Sequence, residues 1–317
     1  MTYSLVANGR SRISAGVSHE TQSAARLRRL RLRSVRCELP AIRYVNLERE
    51  ALLRQLHPND IQDLLRLSGA AGWNQTAADW LRVLGLAPAG CWGIENEGRI
   101  IATTTLICYG TQLAWVGMVL TDAEIRGKGF ATRLIRHALD RAHHLGVGCV
   151  KLDATAVGRS LYEKLGFRPE QTVERWHRKG LGGSVHVRGT TLSLNTELDR
   201  SACGYDRTAW LEAMRLEGGT YVQTGGFLLT RSGSLNGYLG PYVARDRETA
   251  RALLEQALSD NPDSGWFWDL LPGNREAQRL ARSFAFAPCR TLTRMQMGES
   301  LAAEEAAVYA IAGFELG

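Results

Sequence analysis

The sequence predicts a mixed α/β (α+β) protein in which one order of strands and helices occurs twice. Three observations predict it. A meander of apolar runs gives way to helix, strand, helix, strand; the same order returns in the second half; and matching turns, Gly166-Phe167-Arg168-Pro169 and Ala285-Phe286-Ala287-Pro288, precede the last strand of each. A chain of 317 residues with 44% hydrophobic content is long and apolar enough for two cores.

In the first half, a short strand is expected at Ala41 to Leu47. Helices are expected at Asn59 to Ser68 and Thr76 to Leu84, where apolar residues recur three and four apart, with a loop at Ala71 to Gln75 between them. Three apolar runs follow, Cys91 to Glu95, Arg99 to Tyr109 and Leu113 to Leu120, separated by Asn96-Glu97-Gly98 and Gly110-Thr111-Gln112, which argues an antiparallel meander. From Gly129 the period turns helical, with Leu134, Ile135, Ala138, Leu139 and Ala142 on one face. A strand (Cys149 to Leu152), a helix (Gly158 to Leu165) and a strand around Gln171 to His177 close the half.

Gly180, Gly182 and Gly183 mark a linker. The second half begins with a helix through Trp210 to Leu216 and strands near Tyr221 to Thr224, Gly226 to Thr230 and Leu235 to Val243. It continues with a helix (Arg247 to Leu258), a strand (Trp266 to Leu271), a helix (Arg275 to Phe284) and a strand (Arg290 to Met297). The expected boundaries are therefore an N-terminal extension over 1–40, a first domain over 41–178, a linker over 179–195 and a second domain over 196–317.

The formal charge of +7 comes from the head of the chain, where residues 1–36 hold eight Arg against the single Glu20. Beyond it basic and acidic side chains balance, so the folded part has no net field to steer a polyanion and no nucleic-acid partner is expected. The Arg- and Ser-rich head has the composition of an unstructured extension or of an organellar presequence, and the first is the expectation. The six cysteines are scattered without a C-x-x-C pair, which predicts neither a disulfide framework nor a metal site. No apolar run approaches the roughly 20 residues that span a bilayer, so the expectation is a cytoplasmic protein without membrane association.

The most informative stretch runs Val116 to Ala131. Gly127 and Gly129 allow a tight turn that brings backbone N–H groups close to a ligand, and the helix that follows begins with unpaired N–H groups and a dipole that favours an anion. A diphosphate fits there, and Arg126 and Lys128 add charge-assisted bonds. The segment matches neither G-x-x-x-x-G-K-[ST] nor G-x-G-x-x-G. It resembles instead the R/Q-x-x-G-x-G/A motif of the GNAT (GCN5-related) N-acetyltransferase superfamily, matched by Arg126, Gly129 and Ala131, and Lys151 to Phe167 resembles that family's next motif.

The resemblance implies tandem GNAT folds, each a mostly antiparallel sheet splayed in a V and flanked by helices. It implies acetyl-CoA as co-substrate, its pantetheine bonded to the backbone of Met118, Val119 and Leu120 and its diphosphate held by Arg126, Gly127, Lys128, Gly129, Phe130 and Ala131. It makes Tyr162 the acid that protonates the CoA thiolate; packing in the helix face is the alternative. The expected activity is acetyl transfer to a primary amine of a small acceptor (amino acid, amine or aminosugar). The alternatives are a non-catalytic acyl-CoA sensor and a protein lysine acetyltransferase.

An amine with an ordinary pKa near 10.4 must lose a proton to react, yet the strand Leu113 to Leu120 carries no carboxylate. Asp153, at a strand end, either orients a water or caps the next helix. Trp73 and Asn74 are expected to wall a polar substrate, with Trp80 in the core. In the second half Ala281 stands where Tyr162 does, and both turn glycines are missing, Arg245-Asp246-Arg247-Glu248 taking their place. That half resembles the C-terminal part of tandem GNAT proteins, through Leu198-Asp199-Arg200, Gly204 to Arg207, Tyr238 to Pro241, Leu292 to Met295 and Phe314 to Gly317, and is expected to have lost its grip on CoA.

Overall fold

In the computed structural model, which describes residues 51–181, 185 and 192–317, the apolar runs of the first half form an antiparallel meander: β1 (Leu52–Gln55), β2 (Cys91–Asn96), β3 (Arg99–Tyr109) and β4 (Leu113–Thr121). The expected strand at 41–47 and the N-terminal extension lie outside the described residues. Strand alternation divides the core between the two faces of the sheet. Leu113 and Trp115 share a buried cluster with α1 (Ile61–Ala70) and α2 (Ala77–Leu86), while Ala114 and Val116 pack with α3 (Phe130–His144).

β5 (Cys149–Ala154) runs parallel to β4, but only Leu113–Trp115 face Cys149–Lys151. Past Trp115 the two strands part, and no described strand pairs with that edge of β4. This is the V. α4 (Arg159–Lys164) and β6 (Arg168–Arg178) complete the half.

The second half comprises α5 (Thr196–Cys203), α6 (Thr208–Arg215), β7 (Gly219–Gln223), β8 (Gly226–Arg231), β9 (Gly237–Ala244), α7 (Arg247–Ser259), β10 (Trp266–Leu270), α8 (Arg275–Ser283), β11 (Ala287–Gly298) and β12 (Val308–Ala310). Gly204, at φ 83°, ends α5, so two helices precede this half's sheet. β10 is parallel to β9 over Gly237–Leu239 and Trp266–Trp268, the same three-residue contact as in the first half.

Each half then lends its last strand to the other. β11 pairs with β5 and β6 with β10, giving one sheet in the order β1-β2-β3-β4-β5-β11-β6-β10-β9-β8-β7, with β12 on β9. The chain order gave no sign of this exchange, because an exchanged strand carries the same alternation as one that stays home. Its consequence for the site is direct: Arg294 of β11 lies opposite Asp153 of β5. Among the described residues no helix is long and apolar enough to cross a membrane, and no cluster of His, Cys, Asp or Glu could hold a metal ion.

Candidate active site

The site is built where β4 leaves β5. Between Thr105/Gly117 and Thr103/Leu120 the β3–β4 register shifts, and Met118 takes φ 47°, so β4 is bulged there. The Thr103 hydroxyl donates to the Met118 carbonyl at 2.7 Å and pins the bulge. One lone pair of that carbonyl is therefore already engaged on the β3 side. Gly117 is glycine for a visible reason: a Cβ there would meet the Glu315 carbonyl oxygen at 2.6 Å.

The turn from β4 to α3 exposes Arg126, Gly127, Lys128 and Gly129 and buries Phe130 in the core. Gly127 and Gly129 sit at φ 81° and 83°, where a side chain would be strained, and a Cβ at either position would meet nothing within 4 Å. Gly129 is the N-cap of α3, and no side chain caps that helix. Its first-turn N–H groups thus face an open surface flanked by two cations, which fits a diphosphate. Arg126 Nε donates to the Thr121 carbonyl at 3.3 Å and is held near the turn.

Tyr162 lies on α4, 8% exposed, in the same cluster as Val116, Phe130 and Leu152, with the Phe167 ring edge-on at 6.0 Å. Burial pushes its phenol well above the ordinary tyrosine value, so it holds its proton at neutral pH. The hydroxyl makes no hydrogen bond to a described residue. A protonated donor without a partner is the state an acid toward a thiolate requires.

Other expected residues have structural work. Asn74 clasps the second half: its Nδ2 donates to the Asn236 carbonyl at 2.9 Å, and its Oδ1 accepts from Leu235 N at 2.9 Å and Asn236 N at 3.0 Å. The clasp thereby engages both Oδ1 lone pairs and one of the two Nδ2 hydrogens. Trp73 is half-buried against the core, its carbonyl accepting from the Ser234 hydroxyl at 3.0 Å, and Trp80 is buried with α1. Asp153 neither caps a helix nor stands free. Arg294 grips it at two points, both 3.0 Å, and lies over the Trp115 ring at 4.7 Å. Burial raises the carboxyl of Asp153, against the pull of Arg294.

The segment 308–317 matters more than its composition suggests. β12 pairs with β9 at Tyr242 and Val243, Ile311 N donates to the Asp269 carbonyl of β10 at 3.0 Å, and Trp268 Nε1 donates to the Tyr309 carbonyl at 2.6 Å. The V of the second half is therefore bridged by the chain itself. Phe314 and Leu316 then cross to the first half, accepting through their carbonyls from Trp115 Nε1 (2.9 Å) and the Tyr109 hydroxyl (2.6 Å), while the Gly317 carbonyl accepts from Arg207 Nη1 of the second half (3.1 Å). Glu315 is buried beside Arg231, which also bonds Asp79 of α2 at 3.1 Å, and burial raises the Glu315 carboxyl against Arg231's pull. The stretch Phe314 to Gly317 was visible in the sequence as a family-like tail, but its partners were not.

The turn before α7 has the opposite character to that before α3. Asp246 caps α7 by accepting from Thr249 N at 2.7 Å, and Ala281 is fully buried.

Comparison with known proteins identifies the family and the fold. The Acetyltransferase (GNAT) family model matches residues 59–167, and a second model, Acetyltransferase (GNAT) domain, matches 196–310. The chain belongs to the GNAT acetyltransferase family and carries two of its domains in tandem. It is 30% identical over 125 residues to the uncharacterized N-acetyltransferase YitH of Bacillus subtilis (strain 168), a match covering 39% of this chain and 43% of the relative. It is 30% identical over 112 residues to the uncharacterized N-acetyltransferase YhbS of Escherichia coli (strain K12), covering 34% and 65%. The matches thus span about half to two thirds of these relatives' lengths. A Pyrococcus horikoshii structure provisionally named an acetyltransferase shares the fold with a TM-score of 0.74 at 22% identity, over 84% of this chain and 96% of that one. A tandem GNAT protein from the clavulanic acid biosynthesis pathway does so with 0.55 at 15% identity, over 79% and 100%.

Proposed function

We propose that the chain is a cytoplasmic, acetyl-CoA-dependent N-acetyltransferase that binds one acetyl-CoA per chain, in its first half, and acetylates a primary amine of a small-molecule acceptor. The observation that carries this reading is the uncapped glycine turn before α3, set beside an edge of β4 that pairs with no described strand and a buried Tyr162 whose hydroxyl has no partner among the described residues. The turn from Arg126 to Ala131 holds the diphosphate, and the β4 backbone at Met118, Val119 and Leu120 orients the pantetheine arm. The neutral amine attacks the thioester carbon, the C–S bond breaks, and Tyr162 gives its proton to the departing thiolate. No metal has a part in this chemistry.

The segment 313–317 lies against β4 at Trp115 and Gly117, and a face covered in this way supports a small acceptor over a protein lysine. A second reading, a non-catalytic acyl-CoA sensor, draws on the arginine partners of the buried carboxylates Asp79, Asp153 and Glu315. Release of CoA thiol from acetyl-CoA across amines, amino acids, aminosugars and peptides tests both. Turnover with one acceptor class, reduced in Tyr162→Phe and Gly129→Glu, is expected; coenzyme binding without turnover on any acceptor would favour the sensor.

A further inference from the structure

The face of β4 and β5 turned away from α3 does not close completely against the second half. A small, partly open cleft of about 40 Å³ remains, lined by Trp115, Lys151 and Arg294 and by Tyr205, Arg207 and Glu305. Trp115 stands two residues before Gly117, a rise of about 7 Å along a strand, so the cleft begins close to where the thioester must lie.

The polar lining is mostly donors. Arg294 spends Nε and Nη2 on Asp153, leaving Nη1 without a partner among the described residues. Lys151 meets Glu170 at 2.7 Å with one of its three N–H groups. The Tyr205 side chain, 7% exposed and stacked at 4.7 Å on Tyr109, has a hydroxyl with no described hydrogen-bond partner. Asp153 and Asp199, the carboxylates that balance Arg294 and Arg207, do not line the cleft. Among the described lining side chains the carboxylate is Glu305, which accepts from Gln171 at 2.7 Å. Each of the three cations has a carboxylate partner outside the cleft lining, and the donors left open toward the cleft are the Tyr205 hydroxyl, Arg294 Nη1 and the remaining Lys151 N–H groups. Leu271, Leu301 and Ile311 supply an apolar wall.

We propose that this cleft holds the anionic group of the acceptor, and that the acceptor is an amino acid whose carboxylate meets Arg294, Lys151 and Tyr205 while its side chain lies on the apolar wall. The planar, two-oxygen carboxylate matches the free edge of a guanidinium. This assignment rests on the acetyltransferase reading above.

The test compares leucine with its decarboxylated form 3-methylbutylamine, with leucinamide and with phosphoethanolamine, as kcat/KM for thiol release in the full chain. Leucine is expected to exceed 3-methylbutylamine and leucinamide by at least about tenfold, the weight of one charge-assisted contact. Tyr205→Phe, which loses no described hydrogen bond, should keep the wild-type Tm and cut that preference severalfold through KM; Lys151→Met, which also loses the bond to Glu170, should cut the preference in the same way at a lower Tm. Equal use of leucine and 3-methylbutylamine, or a preference untouched by both variants, would overturn the proposal. Phosphoethanolamine outrunning leucine would overturn the carboxylate assignment. A second arm needs no turnover: calorimetry of N-acetylleucine into CoA-saturated protein should show binding that Tyr205→Phe weakens. No binding there, with acetyl-CoA itself bound, would sink the cleft assignment, whereas binding without turnover on any amine would sink only the catalytic reading.

Discussion

Between β4 and α3 the chain turns through two glycines and leaves the helix without a cap, whereas between β9 and α7 it turns through Arg245 and Asp246, and Asp246 takes the Thr249 N–H. The V beside β4 has no described strand in it past Trp115, while the V beside β9 is bridged by β12 and by the Ile311 N–H. Tyr162 on α4 answers to the buried Ala281 on α8. A helix N-terminus has a few free donors, and a capping carboxylate and a bound phosphate compete for them. One topology thus gives two outcomes: the first half leaves its helix donors and its strand edge open among the described residues, and the second satisfies both internally.

The packing of the two halves can be broken at a buried joint. Asp79 is 3% exposed; burial pushes its carboxyl up, but Arg231 and Arg82 outweigh this and hold it below the ordinary carboxylate value of 3.8. A depressed value means the stabilisation is present above the ordinary value and is lost as pH falls through the folded one. Asp79→Asn should cost about 3–5 kcal/mol by urea unfolding at pH 7, because Arg231 and Arg82 lose their shared anion. Its acid limb should also be flatter than wild type below pH 4; an unchanged limb would show that Asp79 does not tie α2 to β8 in solution.

The catalytic contrast is sharpened by Tyr162→Phe. With the ring kept and the proton removed, kcat should fall by about 10²- to 10³-fold while acetyl-CoA affinity stays within about twofold by calorimetry. A loss in affinity alone would make Tyr162 a packing residue. The smallest effect is expected in the second half, where Asp246→Ala should lower stability by about 1 kcal/mol in urea unfolding and leave coenzyme affinity unchanged. A change in affinity there would break the contrast between the two turns.

Much of this was legible in the sequence. The meander, the glycine turn and the helix with Tyr162 are local: each follows from alternation, from glycines at the only two positions of that turn with positive φ, or from a 3.6-residue period. What local pattern cannot carry is partnership across the chain. Asp153 read as a helix cap or a water-orienting group, since nothing near it in sequence announces Arg294, 141 residues away. Asn74 read as a substrate contact for the same reason, its partners at 235 and 236 lying 161 and 162 residues on. The strand exchange and the bridging of the second V by 308–311 follow from pairings that any apolar strand of suitable length could make, and only the fold selects them.

The central claim, one coenzyme per chain held at the first turn, is tested most directly by calorimetric titration of acetyl-CoA into the wild-type chain and into Gly129→Glu. The substitution puts a carboxylate at φ 83° on the rim of the anion site, where nothing within 4 Å clashes with its Cβ. A stoichiometry of one, with affinity reduced by roughly 100-fold in a variant that keeps its fold by circular dichroism, is the predicted result. Two sites per chain, or one site indifferent to Gly129→Glu, would contradict it.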